Sequence, residues 1–442
     1  MDSDDEEMLA ALLDEEADSA AADDEEHLLM LACLAGLYDA DAQPKRGGSA
    51  PGRRKSKARQ RAEGYCMLYA DYFADDPVHG EKTFRRRFRM NRHLFLKIVH
   101  GVREFDNYFV CKKDCTGTIG FSSLQKCTVA LRLLAYGAPA DSQDDYLRMA
   151  ESTILECFYR FCRAVIGAFG PEYLRSPTAE DTARILAENE ARGFPGMLGS
   201  IDCMHWKWKN CPFAWQGMYK GHKGGCSVVL EAVASYDTWI WHSFFGMPGS
   251  NNDINVLQCS PVFSNLVEGN APPVNFEING HHYNKGYYLA DGIYPKWSTF
   301  VKTISNPVPK TAKAWFAKCQ EACRKDVERA FGGIQARFAV VRYPAMSWSK
   351  DQMWEVMTCC VILHNMIIES ERKYPVDEKE KKVPYFRQGP LVGEDPEESE
   401  RLPVPKSWTA YLAKRQEIRD PVVHEQLQQD LVEHLWRRKG EV

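Results

Sequence analysis

The sequence predicts an α+β protein, with a helical N-terminal region followed by a mixed sheet flanked by helices. Three observations carry this expectation. From residue 63 to about 170, apolar residues recur at helical spacing. From about residue 194 the texture changes to short β-branched and aromatic runs. Two long helical patterns, 311–338 and 351–369, follow among those runs. Strands first, then alternation with helices, imply helices packed on a sheet. The 442 residues are enough for two or three domains of roughly 150 residues each, with a large buried core.

Composition divides the chain further. Residues 1–62 read as a disordered arm, acidic and then basic. Residues 63–193 read as a helical, helix-turn-helix-like domain, and 194–370 as the sheet domain. Residues 371–406, rich in Glu, Lys and Pro, read as a linker, and 407–442 as C-terminal helices. The net charge of -5 hides opposed blocks. Residues 1–44 hold 15 acidic side chains and no Lys or Arg, whereas 45–61 hold eight basic groups and no acidic ones. From residue 62 onward the balance is 48 basic against 46 acidic. The overall charge is therefore no argument against a nucleic-acid partner. The acidic start is the reverse of a signal peptide. No apolar run approaches the roughly 18 residues of a membrane span, so no membrane association is expected.

Along the arm, Leu28, Leu31 and Leu34 stand at helical spacing, suited to a partner's groove or to a transient helix in a solvated tail. Lys45, Arg46, Arg53, Arg54, Lys55 and Lys57 form two basic clusters separated by Gly, Ser and Pro. They suit a nuclear-import signal or a phosphate-binding tail, with a plain solvated linker as the alternative. The expected location is the nucleus, and also the cytoplasm.

The helical region follows in order. Phe84–Gly101 mixes Arg85, Arg86, Arg87, Arg89 and Arg92 with Phe88, Leu94, Phe95 and Ile98. Ser123–Tyr136 is an amphipathic helix with Gly137 as its stop. Helices at 141–149 and 153–166, close together, permit a helix-turn-helix. Against a DNA grip, residues 141–156 hold five acidic groups and only Arg148. Thr178 with Asp181 makes a capping-box-like start for a helix to about Ala191, and Gly193 ends it. Strands are expected at 197–201, 227–235, 239–245 and 286–290, with Tyr236-Asp237-Thr238 as a hairpin turn, and a helix over about 256–266. At the C-terminus, Asp420 reads as an N-cap with Pro421 at the first helical position. Leu427, Leu431 and Leu435 keep a stripe, and Gly440 ends it. The 15 cysteines show no secreted framework and read as reduced thiols, mostly small buried hydrophobes.

Two aspartates are informative. Asp202 and Asp291 each end a short apolar run, which would place a carboxylate at a sheet edge facing a cleft. Glu328 stands on the long helical pattern beside Arg324, Lys325 and Arg329. Three converging carboxylates can hold two hard divalent cations roughly 3.5–4 Å apart for phosphoryl transfer, and Mg²⁺ or Mn²⁺ suits such oxygen donors. The spacing alone is unspecific. Such a triple can be drawn almost anywhere among 61 acidic residues, and ordinary surface carboxylates are the other reading.

Several ordered motifs add weight: GSIDCMHWKWKNCP (199–212), FFGMPGSNNDINVLQCSPVF (244–263), YYLADGIYPKW (287–297), RKDVERAFGGIQARFAVVR (324–342) and CCVILHNMIIE (359–369). From about residue 80 to the C-terminus the chain resembles PIF/Harbinger DDE transposases, above all the Pong-like plant branch, and transposase-derived nucleases of that group. The resemblance implies an RNase H-like DDE catalytic domain. It implies Asp202 as the first catalytic aspartate, Asp291 as the second and Glu328 as the glutamate. Asp253, closing the Pro248–Asp253 motif, is a further candidate metal ligand. His205, Arg324, Lys325 and Arg329 are candidate DNA contacts, each with a structural alternative. His364 and Asn365, in an apolar helix, are better read as satisfied core hydrogen-bonders. Trp206, Trp208 and Trp215 could stack on unpaired bases or pack on the sheet.

The activity implied is a two-metal DNA endonuclease and transposase that nicks terminal inverted repeats and joins 3'-hydroxyl ends to target DNA. A Myb-like DNA-binding partner protein and homo-oligomerisation on double-stranded DNA are implied as well. Two rivals remain: a domesticated nuclear regulator or scaffold without catalysis, and a metal-dependent nuclease acting on other DNA.

Overall fold

The computed structural model describes residues 23–34, 59–114, 117–221, 224–268, 270–373 and 408–440. The basic residues Lys45, Arg46, Arg53, Arg54, Lys55 and Lys57, and the expected linker beyond residue 373, lie outside the described residues. The chain forms two compact units. Of the described residues, one comprises those up to 169 with 338–340 and 373; the other comprises those of 170–337, 341–372 and 408–440. The division falls at 169/170 rather than 193/194, because the helix over 179–191 packs on the sheet. No described helix is long and apolar enough to cross a membrane.

In the first unit, α1 (23–34) is helical within the arm expected to be disordered. Its acidic side hold it in place: Glu26 accepts the Ser123 backbone N–H at 2.9 Å and the Ser123 hydroxyl, and Asp23 Oδ2 lies 2.8 Å from His100 Nε2. Leu28, Leu31 and Leu34 are left exposed. Helices α2 (Arg61–Tyr72), α3 (Glu81–Phe88) and α4 (Arg92–Phe105) share an aromatic core. Phe84 and Phe88 are one turn apart, so both bury while Arg86 stays outside. Their rings meet at 4.5 Å, and Phe88 meets Phe95 at 5.0 Å and Tyr72 at 5.3 Å. Arg89 takes a left-handed conformation that ends α3, and Asn91 caps α4 by accepting the Leu94 N–H at 2.7 Å.

Helix α5 (Ser123–Tyr136) has the expected bounds, with a Ser122–Gln125 capping box and left-handed Gly137 as its stop. The pattern expected at 141–149 is instead a 3₁₀ turn, Ala140–Gln143, and a single turn α6 (Asp144–Leu147). Ser142, Asp144 and Asp145 are weak helix formers, and Arg148 at φ 56° stops the turn. Helix α7 (Glu151–Tyr173) outruns the expected 153–166 and carries Pro171 within it.

The second unit begins with α8 (Ala179–Ala191), capped by the Thr178–Asp181 box. Strands β1 (Met197–Lys207), β2 (Ser227–Ala234) and β3 (Ile240–Pro248) form an antiparallel meander. The short helix α9 (Gln216–Tyr219) lies in the β1–β2 connection. The single helix expected at 256–266 is two, α10 (Asp253–Cys259) and α11 (Ser264–Glu268), separated around Pro261. A small hairpin, β4 (Phe276–Ile278) and β5 (His281–Tyr283), precedes β6 (Tyr287–Ala290) and β7 (Phe300–Lys302). The five-stranded sheet runs β3-β2-β1-β6-β7, with β6 parallel to β1 and β7 parallel to β6.

The long helix α12 (Ala312–Arg337) covers one face together with α16 (Pro421–Gly440). Phe316 and Cys323 meet Leu427, Leu431 and Leu435 in one cluster with Met197, Tyr287 and Leu289. Ile201, Val233, Leu257, Tyr294 and Phe300 form a second cluster. Short α13 (Ala339–Arg342) leads to α14 (Lys350–Lys373), and α15 (Trp408–Ile418) precedes α16. Asp420 caps α16 as expected, accepting the Val422 N–H at 2.8 Å.

Two residues of α14 join it to the β2–β3 hairpin. Asn365 accepts the Ile240 N–H at 2.9 Å and donates to the carbonyls of Ile240 and Tyr173, both at 2.8 Å. His364 Nε2 donates to Thr238 O at 3.0 Å, while Nδ1 accepts from Arg337 at 2.9 Å. Burial, followed by the Arg337 charge, pushes His364 down to about 3, so the ring stays neutral.

Candidate active site

Strand β1 does not end at Asp202. It runs five residues further, to Lys207, so Asp202 projects from the middle of a strand. The bend that sets this register is at Gly199, where the parallel pairing with β6 shifts. Gly199 has φ 150°, and a Cβ there would lie 2.6 Å from Ala234 O. Beyond the shift, Ser200 pairs with Leu289. The pairing stops there: Asp202 lies two residues further along β1, and Asp291 two residues past Leu289, directly after β6.

Glu328 comes to this place on α12. The helix packs against β1, and the Val327 N–H reaches Ser200 Oγ at 3.3 Å. One turn earlier on α12, Arg324 bridges two carboxylates: Nη1 is 3.2 Å from Asp202 Oδ2 and Nη2 is 2.8 Å from Glu328 Oε1. Asp202 is 19% exposed at its side chain and Glu328 44%. Burial pushes the Asp202 carboxyl up to about 6. The Cys203 N–H and Arg324 oppose the rise, while Asp253 and Glu328 add to it. Asp253, at the start of α10 next to the Asn252 cap, therefore belongs to the same electrostatic neighbourhood. Asp291 Oδ1 accepts the Ile293 N–H at 2.6 Å, which fixes its turn.

The other candidates divide. Arg324 faces the carboxylates instead of open solvent. Arg329 contacts Asp326 Oδ1 at 2.7 Å and Tyr236 O at 2.6 Å, so it ties α12 to the hairpin turn. Lys325 is exposed. His205 Nδ1 lies 3.1 Å from Ser227 Oγ, three residues along the strand from Asp202. Trp206 and Trp208 are buried, donating to Tyr343 O at 2.8 Å and Ser347 O at 2.7 Å; Trp215 stays partly exposed.

Sequence reasoning missed Glu231. It is fully buried on β2 opposite Cys203, and neither carboxylate oxygen has a hydrogen-bond partner among the described residues. His242 Nε2 is 3.3 Å from its Oε1. The only signal was an acid inside the apolar run Val228–Val233. Among the described residues no group of three His, Cys, Asp or Glu is spaced to hold a metal ion. The donor chemistry nevertheless fits a hard cation. Asp253 and Glu328 raise the cost of ionising Asp202, the crowding that an oxygen-bound cation relieves.

Residues 171–375 match the family of plant transposon proteins. That match and the relatives below support a resemblance to Harbinger transposase-derived proteins. Residues 64–103 match a domain of unknown function. The chain is 22% identical over 300 residues to "Protein ALP1-like" of Arabidopsis thaliana, covering 66% of this chain and 71% of that one. It is 23% identical over 248 residues to "Putative nuclease HARBI1" of Homo sapiens and of Bos taurus, covering 54% of this chain. It spans 66% of those relatives' length, just under two thirds. No solved structure matches the chain.

Proposed function

We propose that this chain is a divalent-metal-dependent DNA endonuclease and transposase built on an RNase H-like domain. The observation that carries the reading is the Arg324 bridge between Asp202 and Glu328, with Asp202 and Asp291 each two residues beyond the last β1–β6 pair, Ser200–Leu289. The sheet order β3-β2-β1-β6-β7, with an antiparallel meander and then parallel strands, supports the fold assignment.

Asp202, Asp291 and Glu328, with Asp253 as a fourth, are the residues that would hold Mg²⁺ or Mn²⁺. Such a pair, when bound, supplies activation of water or a 3'-hydroxyl and neutralises the leaving oxygen. The chain's own groups do the remaining work. The Cys203 N–H, 2.8 Å from Asp202 Oδ1, and the Asp291–Ile293 turn hold both carboxylates in place. Arg324 keeps Asp202 and Glu328 within one guanidinium's reach, and release of one arm opens their oxygens. Lys325, exposed beside Glu328, suits a phosphate contact. Element ends would be bound with a Myb-like partner protein, in the nucleus, by an oligomer of this chain.

The Arg324 bridge also favours a second reading. An arginine seated between the carboxylates neutralises them without metal, as a non-catalytic regulator or scaffold derived from a transposase would tolerate. Strand transfer separates the two. Pre-cut terminal inverted repeats with free 3'-hydroxyls are incubated with target plasmid, the partner protein and Mg²⁺ or Mn²⁺. Joined products from inverted repeats but not from random duplex support the transposase. Cutting of both substrates without joining indicates a general nuclease. DNA binding without either product indicates the regulator.

A further inference from the structure

The β1–β2 connection is aromatic and basic in sequence, with several aromatic side chains exposed among its described residues, and the acidic site does not account for it. Residues 203–230 contain four lysines and no Asp or Glu, and residues 338–350 contain Arg342 and Lys350 and no acid. The two segments adjoin. The Lys209 N–H donates to Ala345 O at 2.9 Å, and Asn210 Nδ2 donates to Met346 O at 2.7 Å. On them Phe213 is 90% exposed and Trp348 70%, with Met218, Met346 and Trp215 also open to solvent. Trp215 is stacked on Tyr219, ring centres 6.3 Å apart at 29°, and the buried Trp208 supports Tyr219 edge-on at 5.0 Å.

We infer that this surface, residues 208–219 with 343–348, binds unpaired DNA bases beside the carboxylate site. The inference rests on the reading of DNA as substrate and deepens it, because it names the form of DNA held: a strand opened from its duplex. A base in a duplex has its faces covered by its neighbours, so exposed aromatic planes among lysines suit splayed bases and their phosphates. Protein-interface cores favour aromatics too, but they are depleted in lysine. The position fits as well. From Asp202 along β1 to Trp208 is about 20 Å at strand rise, so a strand opened near the carboxylates can reach the platform.

The test is an anisotropy titration of the full chain with a fluorescein-labelled single strand and with its duplex, in low salt with chelator. Phe213→Ala and Trp348→Ala are compared with native chain and with Asp202→Asn. Both aromatic side chains are exposed, so thermal melts of the variants are expected to match the native one. Each alanine should weaken single-strand binding about tenfold, with a larger loss when combined, while duplex affinity holds. Phe213→Tyr and Trp348→Phe should restore it, and Asp202→Asn should not weaken it. Unchanged single-strand affinity in the double variant overturns the inference. Equal loss on single strand and duplex also overturns it, since the surface would then be a backbone contact. If native chain cleaves duplex in a parallel reaction with Mg²⁺ or Mn²⁺ while the double variant binds single strand normally, only this inference fails. If native chain binds neither form, the DNA reading fails with it.

Discussion

Asp202→Asn should stabilise the metal-free protein at neutral pH, although it removes one partner of an ion pair. Burial holds the Asp202 carboxyl at about 6 in the fold against the usual 3.8, even with Arg324 3.2 Å away. Below pH 3.8 the side chain is protonated in folded and unfolded chains and costs nothing. As pH rises from 3.8 to 6 the folded state holds the proton the unfolded state has released, so stability falls. Above pH 6 the full cost remains, about two pKa units or about 3 kcal/mol. Asparagine mimics the protonated carboxyl and escapes this cost. The transition of the sheet-containing unit should therefore rise by about 6–12 °C near pH 7 in chelator, and by little near pH 4. Scanning calorimetry at both pH values reads the difference. A variant that melts below native chain near pH 7 would show that the Arg324 pair outweighs burial, and the electrostatic account of the site would be wrong.

Other consequences follow from the same contacts. Asn365→Leu strands the Ile240 N–H and the carbonyls of Ile240 and Tyr173, and should cost about 3–5 kcal/mol in urea denaturation; a loss under about 1 would refute the clamp. His364, pushed down to about 3, is neutral when folded, so the unfolded chain takes up the proton first and stability is lost as pH falls below 6.5. Near pH 5 the native chain should lose about 2 kcal/mol from this group, and His364→Gln should flatten that slope; parallel pH curves would count against it. Removing residues 1–34 frees His100 and Arg103 from Asp23, within a stretch, 82–103, of eight Lys and Arg and no acid. Non-specific duplex binding should then tighten about tenfold at low salt and converge with native chain at high salt; equal affinities throughout would exclude an inhibitory arm.

Much of the fold was legible because local rules were strong. The Thr178–Asp181 box, the Gly137 stop, the Tyr236–Thr238 turn and the Asp420 cap each act within a few residues. The second half of β1 was not legible. Past Ser200 it loses its β6 partner and pairs only with β2, so Asp202, His205 and Lys207 need not be apolar, and the pattern reads as loop. Glu231 was invisible because a single acid in an apolar run says nothing about what faces it. Arg324 stands four residues before Glu328, a spacing that signals their pairing, but the reach across to Asp202 belongs to the packing of α12 on β1. Helix α1 was half legible: its leucine stripe was read from spacing and stays exposed, but its attachment to the first unit through Asp23 and Glu26 depends on tertiary contacts that spacing does not signal.

The most direct measurement is nicking of a labelled duplex carrying candidate element ends, with the partner protein present and Mg²⁺ or Mn²⁺ set against chelator. Native chain and Asp291→Asn are run side by side, since Asp291 lies in a fixed turn whose backbone contacts asparagine can keep. The account predicts metal-dependent nicks at the ends, lost in Asp291→Asn while DNA binding persists. Nicking that survives in Asp291→Asn, or its absence in a native chain that binds the ends and the partner, would contradict it.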